Sequence, residues 1–417
     1  MKSATIQNKV EQQSALSLLN HGPFVLFWFA RVFSAIAFQI SAVAVGWQIY
    51  ALTGSAFHLG MVGLVQFLPM VLLTLAAGHV ADRYDRRLIV RTCQAIMGFA
   101  VAMLVLGNFT GWLHTAGIYV VVAAIGASRS FEHPTLNALL PGLVEASILP
   151  KAAAASSSAV QTAFIIGPAL GGLLYTAGPT VAYAMAATLF FAASISVSLI
   201  KIERLPQRTV PKGFDSIFSG ITFIRGRPAV LGAISLDLFA VLLGGATALL
   251  PIYARDILHT GPWGLGMLRS APAIGALSMS FILARYPIGR NIGRRMFTGV
   301  IVFGLATMLF AISKSVFLSI GALVVLGAAD VVSVVIRMTL VQLSTPDQMR
   351  GRVSAVNSLF IGTSNQLGEF ESGLTAALFG TIPAVLIGGI GTIIVALVWM
   401  RLFPELRRAD SFERLQA

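Results

Sequence analysis

Apolar residues run through this chain in long unbroken stretches separated by short polar breaks, and they do not alternate with polar ones. Alternation would mark half-buried strands, whereas a run of about 20 apolar residues is what an α-helix needs to cross the ~30 Å hydrocarbon core of a bilayer. Lipid offers the backbone no water to bond, so helices or a closed barrel are the only forms that span it. The runs predict twelve helices, at about 23–51, 56–77, 88–108, 115–138, 152–176, 180–200, 229–253, 263–284, 296–312, 316–341, 353–378 and 382–403. The longest break falls at the midpoint, 201–228, and holds Lys201, Glu203, Arg204, Arg208, Lys212, Asp215, Arg225 and Arg227 with Pro206 and Pro211. Its end, Gly220 to Pro228, reads as a short amphipathic helix feeding the next span. The pattern divides the chain into a six-helix bundle at 1–200, a linker at 201–228 and a second six-helix bundle at 229–417 with a short tail.

Composition agrees. Hydrophobic residues make up 56% of the 417, and the mean hydropathy of +0.84 is more than a water-soluble domain could carry on its surface. The segment 1–20 is polar and lacks an apolar core with a small-residue cleavage site, so no cleaved signal peptide is expected. A single cysteine, Cys93, excludes an internal disulfide or a thiolate metal cage. The net charge of +13 would suggest nucleic acid in a soluble protein, so its placement decides its meaning. With both ends on one side, 23 of the 29 Lys and Arg fall in the segments on that side, against only Arg255 and Lys314 opposite. By the positive-inside rule that side is cytoplasmic, and the basic balance is a topology signal that leaves no role for nucleic acid.

The densest charge in the chain is Gly78-His79-Val80-Ala81-Asp82-Arg83-Tyr84-Asp85-Arg86-Arg87, two acids and three arginines between two apolar runs. Such a stretch is expected to form a tight loop between the second and third spans. It resembles the loop of the major facilitator superfamily with the pattern G-x-L-A-D-R-x-G-R-R/K. The sequence keeps Gly78, Ala81, Asp82, Arg83, Arg86 and Arg87 and departs at Val80 and Asp85. The resemblance implies twelve helices in two pseudo-symmetric halves. It also implies that the loop latches the halves on the cytoplasmic side, with Asp82 acting on the start of the eleventh helix around Arg352 and Arg83, Arg86 and Arg87 as its cations. An internal repeat supports two halves: Gly63 to Pro69 lies over Gly266 to Pro272, and Arg83-Tyr84 over Arg285-Tyr286.

In the fifth span, Gly167-Pro168-Ala169-Leu170-Gly171-Gly172 permits close helix approach and a bend. It resembles the helix-5 motif of proton-coupled exporters in this superfamily, with Ala163 where an upstream Gly is usual. Arg129 to Pro134, the end of the first span at Leu52 to Ser55 and the linker resemble the enterobactin-exporter-like branch.

Ionisable residues inside spans are costly, at about 2.5–3.5 kcal/mol on insertion scales, and face a cavity or a partner. Here they are Arg31, Arg129, Glu132, Asp237, Arg269, Asp330, Arg337, Glu369 and Glu371. The resemblance places the first, fourth, seventh and tenth helices around a central cavity. Asp237, Asp330 and Glu132 are therefore the candidate proton carriers; each could instead be a structural ion-pair partner, Glu132 with Arg129 at i, i+3 above all. Arg31, Gln39, Arg129, Gln161, Asn365 and Glu369 are candidate cavity groups. No phosphate loop, metal-ligand cluster or nucleophile motif is present, so no cofactor, metal or enzymatic activity is expected. The expected function is proton-driven export of a small amphipathic organic molecule, drug or siderophore-like, by a monomer in a bacterial cytoplasmic membrane. Uptake, or movement of lysophospholipid on the same fold, is the alternative; a membrane receptor or enzyme has no motif in its favour.

Overall fold

The computed structural model describes residues 21–201 and 214–411. Segment 1–20 and the linker prolines Pro206 and Pro211 lie outside these residues. Among the described residues there is no strand, and twelve helices of at least 16 residues follow one another. They are α1 (Gly22–Thr53), α2 (Ala56–Arg83), α3 (Arg86–Thr110), α4 (Thr115–Leu139), α5 (Leu149–Thr176) and α6 (Pro179–Ser198), then α8 (Pro228–Leu243), α9 (Gly261–Arg285), α10 (Ile292–Ile312), α11 (Val316–Ser344), α12 (Asp347–Phe379) and α13 (Thr381–Leu402). Between the two sets lies α7 (Phe214–Arg225), which packs on α12 as a linker helix. Ten of the twelve are long and apolar enough to cross a membrane. The other two, α4 and α12, carry Arg129 with Glu132 and Glu369 with Glu371.

Two sequence expectations need correction. The charged stretch 78–87 is not a ten-residue loop, because α2 continues through it to Arg83 and α3 begins at Arg86, leaving only Tyr84 and Asp85 between them. Asp85 makes so short a joint workable: it is the N-cap of α3, its carboxylate accepting from the Arg87 backbone N–H at 2.9 Å. The seventh span is not one continuous helix either. After Leu243 the chain passes Gly244 and Gly245, takes a 3₁₀ turn over Ala246–Leu249 and ends in a π-turn over Tyr253–Ile257. At the break both glycines are closely packed, Gly244 against Phe303 and Gly245 against the Gly368 carbonyl.

Short connections make successive helices antiparallel, so the joints rich in Lys and Arg share one face, the basic face. The buried cores differ between the two faces. Away from the basic face one core runs across both sets of helices, joining Ile40, Val43 and Ile49 of α1 with Leu249 and Tyr253 after the break and with Leu265 of α9. Toward the basic face two separate cores form, one around Phe24, Phe27 and Leu139 and the other around Ile234, Phe297 and Leu340. Among the described residues the buried apolar core is thus shared by the two sets at one end, where it welds them, and divided between them at the other.

Candidate functional site

The weld consists of two helix crossings. At the first, α5 meets α9: a Cβ on Gly172 would lie 2.5 Å from the Pro262 carbonyl oxygen, and one on Gly266 would lie 2.5 Å from that of Pro168. Neither position admits a side chain, and the backbones meet directly, as small residues allow. Ser270 Oγ donates across the same crossing to the Ile165 carbonyl at 2.6 Å. Gly167 and Gly171 face the other way, against Gln39 and Ile40, and hold α5 on α1. The run Gly167, Pro168, Gly171, Gly172 therefore binds α5 to its own set and to the other one.

At the second crossing, α2 meets α12. Gly60 and Gly373 stand in the same backbone-to-backbone relation, Phe57 and Phe370 bring their rings to 6.4 Å, and Gln366 Nε2 approaches Met70 Sδ at 3.7 Å. None of these residues was singled out by the sequence reading. A signal for them exists: Gly368-Glu369-Phe370-Glu371-Ser372-Gly373-Leu374 repeats Gly167-Pro168-Ala169-Leu170-Gly171-Gly172-Leu173 with Gly, Gly and Leu in register. Near the end of the weld Tyr50 donates its hydroxyl to the Asp256 carboxylate, while Arg255 lies 5.4 Å over the Tyr50 ring and donates to its carbonyl at 3.3 Å.

On the basic face, Arg86 Nη1 donates to the Ala138 carbonyl at 2.8 Å and Arg87 Nη1 to that of Ile200 at 3.0 Å, so both cations serve chain ends within the first set of helices. Arg87 also pairs with Asp85 at 2.7 Å. Arg352 donates to Ser219 of the linker helix at 3.1 Å. Arg83 is exposed in the last turn of α2. The backbone of Gly78 and Asp82 is helical, and their side chains lie outside the described residues.

Within the first set, Glu132 is 2% exposed and sits between three helices. Its Oε1 accepts from Ser34 Oγ of α1 at 2.6 Å and from Gln94 Nε2 of α3 at 2.9 Å. Arg129, the expected i, i+3 partner, comes only to 4.0 Å and stacks over the Phe38 ring at 3.9 Å. Arg31 donates to Asn137 at 3.0 Å. Gln39 is half-buried under Gly167; Gln161 is exposed, as is Asn365, whose amide turns back to the Ile361 carbonyl at 3.0 Å.

The second set answers with a different arrangement at the equivalent place. Asp237 of α8 accepts from Arg337 Nη1 of α11 at 2.6 Å, both groups being buried. Ser34 and Asp237 lie on the first helix of each set, and Glu132 and Arg337 on the fourth, so the carboxylate has changed helix between sets. Asp330 lies two turns before Arg337 on α11 and, with Asp237, Ala240, Val300, Phe303 and Ser333, lines a cavity of ≈ 10 Å³. Glu369 stands against Gly63 at the α2–α12 crossing with Arg269 as its charged neighbour, while Glu371 accepts from Thr375 at 2.8 Å.

Two antiparallel sets of helices, joined across glycine crossings at one face and carrying buried charges in the middle of their spans, define a multi-pass membrane transporter. Residues 13–416 match the model of the transmembrane secretion effectors, and the chain belongs to that family of the major facilitator superfamily. Among its relatives are the enterobactin exporter EntS of Citrobacter koseri, 26% identical over 94% of this chain and 95% of that one. Another is the multidrug efflux pump Tap of Mycobacterium tuberculosis, 28% identical over 94% and 96%. Solved structures with the same fold include a bacterial homolog of the human lysosomal transporter Spinster in an inward-facing conformation, with TM-score 0.74 at 13% identity over 93% of this chain and 99% of that one. The nucleoside transporter NupG matches with TM-score 0.74 at 14% identity over 91% and 100%.

Proposed function

We propose that this protein exports a small amphipathic organic compound, of drug or siderophore type, across a bacterial cytoplasmic membrane in exchange for protons. The observation that carries the reading is the division of the core: one core shared by both sets away from the basic face, and two separate cores toward it. With the basic face cytoplasmic and both termini there, this is the arrangement of an alternating-access carrier open to the cytoplasm. Export is supported by the relatives, an enterobactin exporter and a multidrug efflux pump that align along nearly the whole chain.

In this scheme the halves, 1–200 and 229–417, rock about the α5–α9 and α2–α12 crossings, which seal the outer face. Asp330 is the leading proton carrier because Asp237 is committed to Arg337 and Glu132 to Ser34 and Gln94. Arg31, Arg129 and Gln39 of α1 and α4, with Gln161, Asn365 and Glu369, shape the path of the substrate. Asp82, with Gly78, Arg83 and Arg352, latches the two halves on the cytoplasmic side in this scheme. The test is a compound screen in an efflux-deficient bacterial strain expressing the wild type or Asp82→Asn. The wild type is expected to raise resistance to a set of amphipathic compounds and the variant to lose most of that gain. Equal sensitivity of the wild type and an empty vector across the set would remove the export reading.

A further inference from the structure

The cavity beside Asp330 holds more than carboxylates. Asp330, Ser333 and Arg337 follow one another at i, i+3 and i+7, on one face of α11. Ser333 is 3% exposed, lines the cavity, and its hydroxyl has no hydrogen-bond partner. A buried hydroxyl left unsatisfied costs about 1–3 kcal/mol, and proteins hold such groups when something fills the space beside them. At ≈ 10 Å³ the cavity admits one particle of the size of water. A metal cation is disfavoured there, because the Arg337 guanidinium already stands 2.6 Å from the Asp237 carboxylate. The charged groups that face Asp330 are Asp237 from α8 and Arg337 from its own helix; α10 contributes only Val300 and Phe303 to the cavity.

We propose that this cavity binds a single water, held by Ser333 Oγ and the Asp330 carboxyl, and that Ser333 is the positioning residue for the proton-carrying group. A hydroxyl is both donor and acceptor. When Asp330 is ionised the water donates to it and Ser333 donates to the water. When Asp330 is protonated its O–H donates to the water, which donates in turn to Ser333. The serine thereby keeps the cavity satisfied in both protonation states, which neither alanine nor a bare apolar wall can do. The proposal rests on the reading of Asp330 as the proton carrier, and it extends that reading to Ser333 and to a bound water.

The test is infrared difference spectroscopy of the full-length protein reconstituted in lipid, comparing acid with alkaline pH, and it requires no substrate. The wild type is expected to show a titrating carboxyl C=O band that is lost in Asp330→Asn, together with a band of a weakly bonded water O–H. In Ser333→Ala the water band disappears and the carboxyl band moves to higher wavenumber; Ser333→Thr restores both. Ala329 also lines the cavity, and Ala329→Val, which takes up its space while keeping the serine hydroxyl, is expected to remove the same water band. Carboxyl and water bands that stay in place in both Ser333→Ala and Ala329→Val would overturn the proposal, as would a difference spectrum unchanged by Asp330→Asn. If these bands behave as expected while transport proves independent of protons, the water site stands and the coupling reading falls.

Discussion

Asp237 and Arg337 form the closest buried ion pair among the described residues, at 2.6 Å with side chains 7% and 3% exposed. Removing one partner of such a pair strands the other charge in a low-dielectric interior, at a cost of about 3–5 kcal/mol, whereas replacing both with apolar groups of like size can be nearly neutral. Arg337→Met is therefore expected to lower the thermal unfolding midpoint of the detergent-solubilised protein sharply, and Asp237→Leu combined with Arg337→Met to recover most of that loss. An equal loss in the double variant would show that the pair does not govern stability here. Glu132 differs, since its hydrogen-bond donors are neutral. Ser34→Ala and Gln94→Leu each remove one hydrogen bond to a charged group, about 1.5–3 kcal/mol apiece, and the same unfolding assay should register both as destabilising.

The sequence made these acids conspicuous, because any ionisable group inside a span stands out against apolar neighbours. Their partners were less visible: Ser34, Gln94 and Ser333 are ordinary polar residues in helices, and only the meeting of α1 and α3 with α4, or of α8 with α11, gives them a role. Arg129 and Glu132 illustrate the limit of spacing rules. Their i, i+3 separation permits a pair, yet Phe38 draws the guanidinium away and α3 supplies a better donor to the carboxylate.

At the scale of elements, hydropathy located all twelve helices to within a few residues at most ends, because lipid-facing and core-facing positions are both apolar and the polar joints are short. It missed the extension of α2 to Arg83 and the break after Leu243. Charge can continue a helix beyond the apolar zone when an N-cap such as Asp85 turns the chain, and a Gly244–Gly245 break is silent in an apolar count. The crossings of α5 with α9 and α2 with α12 yield the next expectation. Gly172→Leu and Gly266→Leu each force a side chain against backbone, and overpacking of this kind costs about 1–3 kcal/mol. If the halves rock as proposed, the clash is relieved when these crossings open, so both variants should populate the outward-open state, read as increased labelling of a cysteine placed in α9 near the crossing by a membrane-impermeant thiol reagent. Unchanged labelling would mean that the crossing does not seal that face.

On the same proposal the strap at Tyr50 would act on that equilibrium. Its bond to Asp256 joins α1 to the π-turn that ends the seventh span, and π-turns commonly sit at functional positions. Tyr50→Phe removes a hydrogen bond to a charged group, worth about 1.5–3 kcal/mol, which corresponds to roughly a 10- to 100-fold shift between states. The same labelling assay should rise in Tyr50→Phe, and more weakly than in Gly172→Leu.

For the molecule as a whole, the proposed function makes the shared core at one face and the divided core at the basic face one phase of a transport cycle, with the basic face cytoplasmic. A compound taken up from the cytoplasm would leave outward as protons return through the second half. The most direct measurement uses inside-out membrane vesicles loaded with the protein, an imposed pH gradient with the interior acid, and the fluorescent amphipathic cation ethidium as probe. Accumulation inside the vesicles that needs the gradient, collapses on adding a protonophore and is at least tenfold weaker in Asp330→Asn is the predicted result. Accumulation that persists without the gradient, or a gradient that drives the probe out of the vesicles, would contradict proton-coupled export.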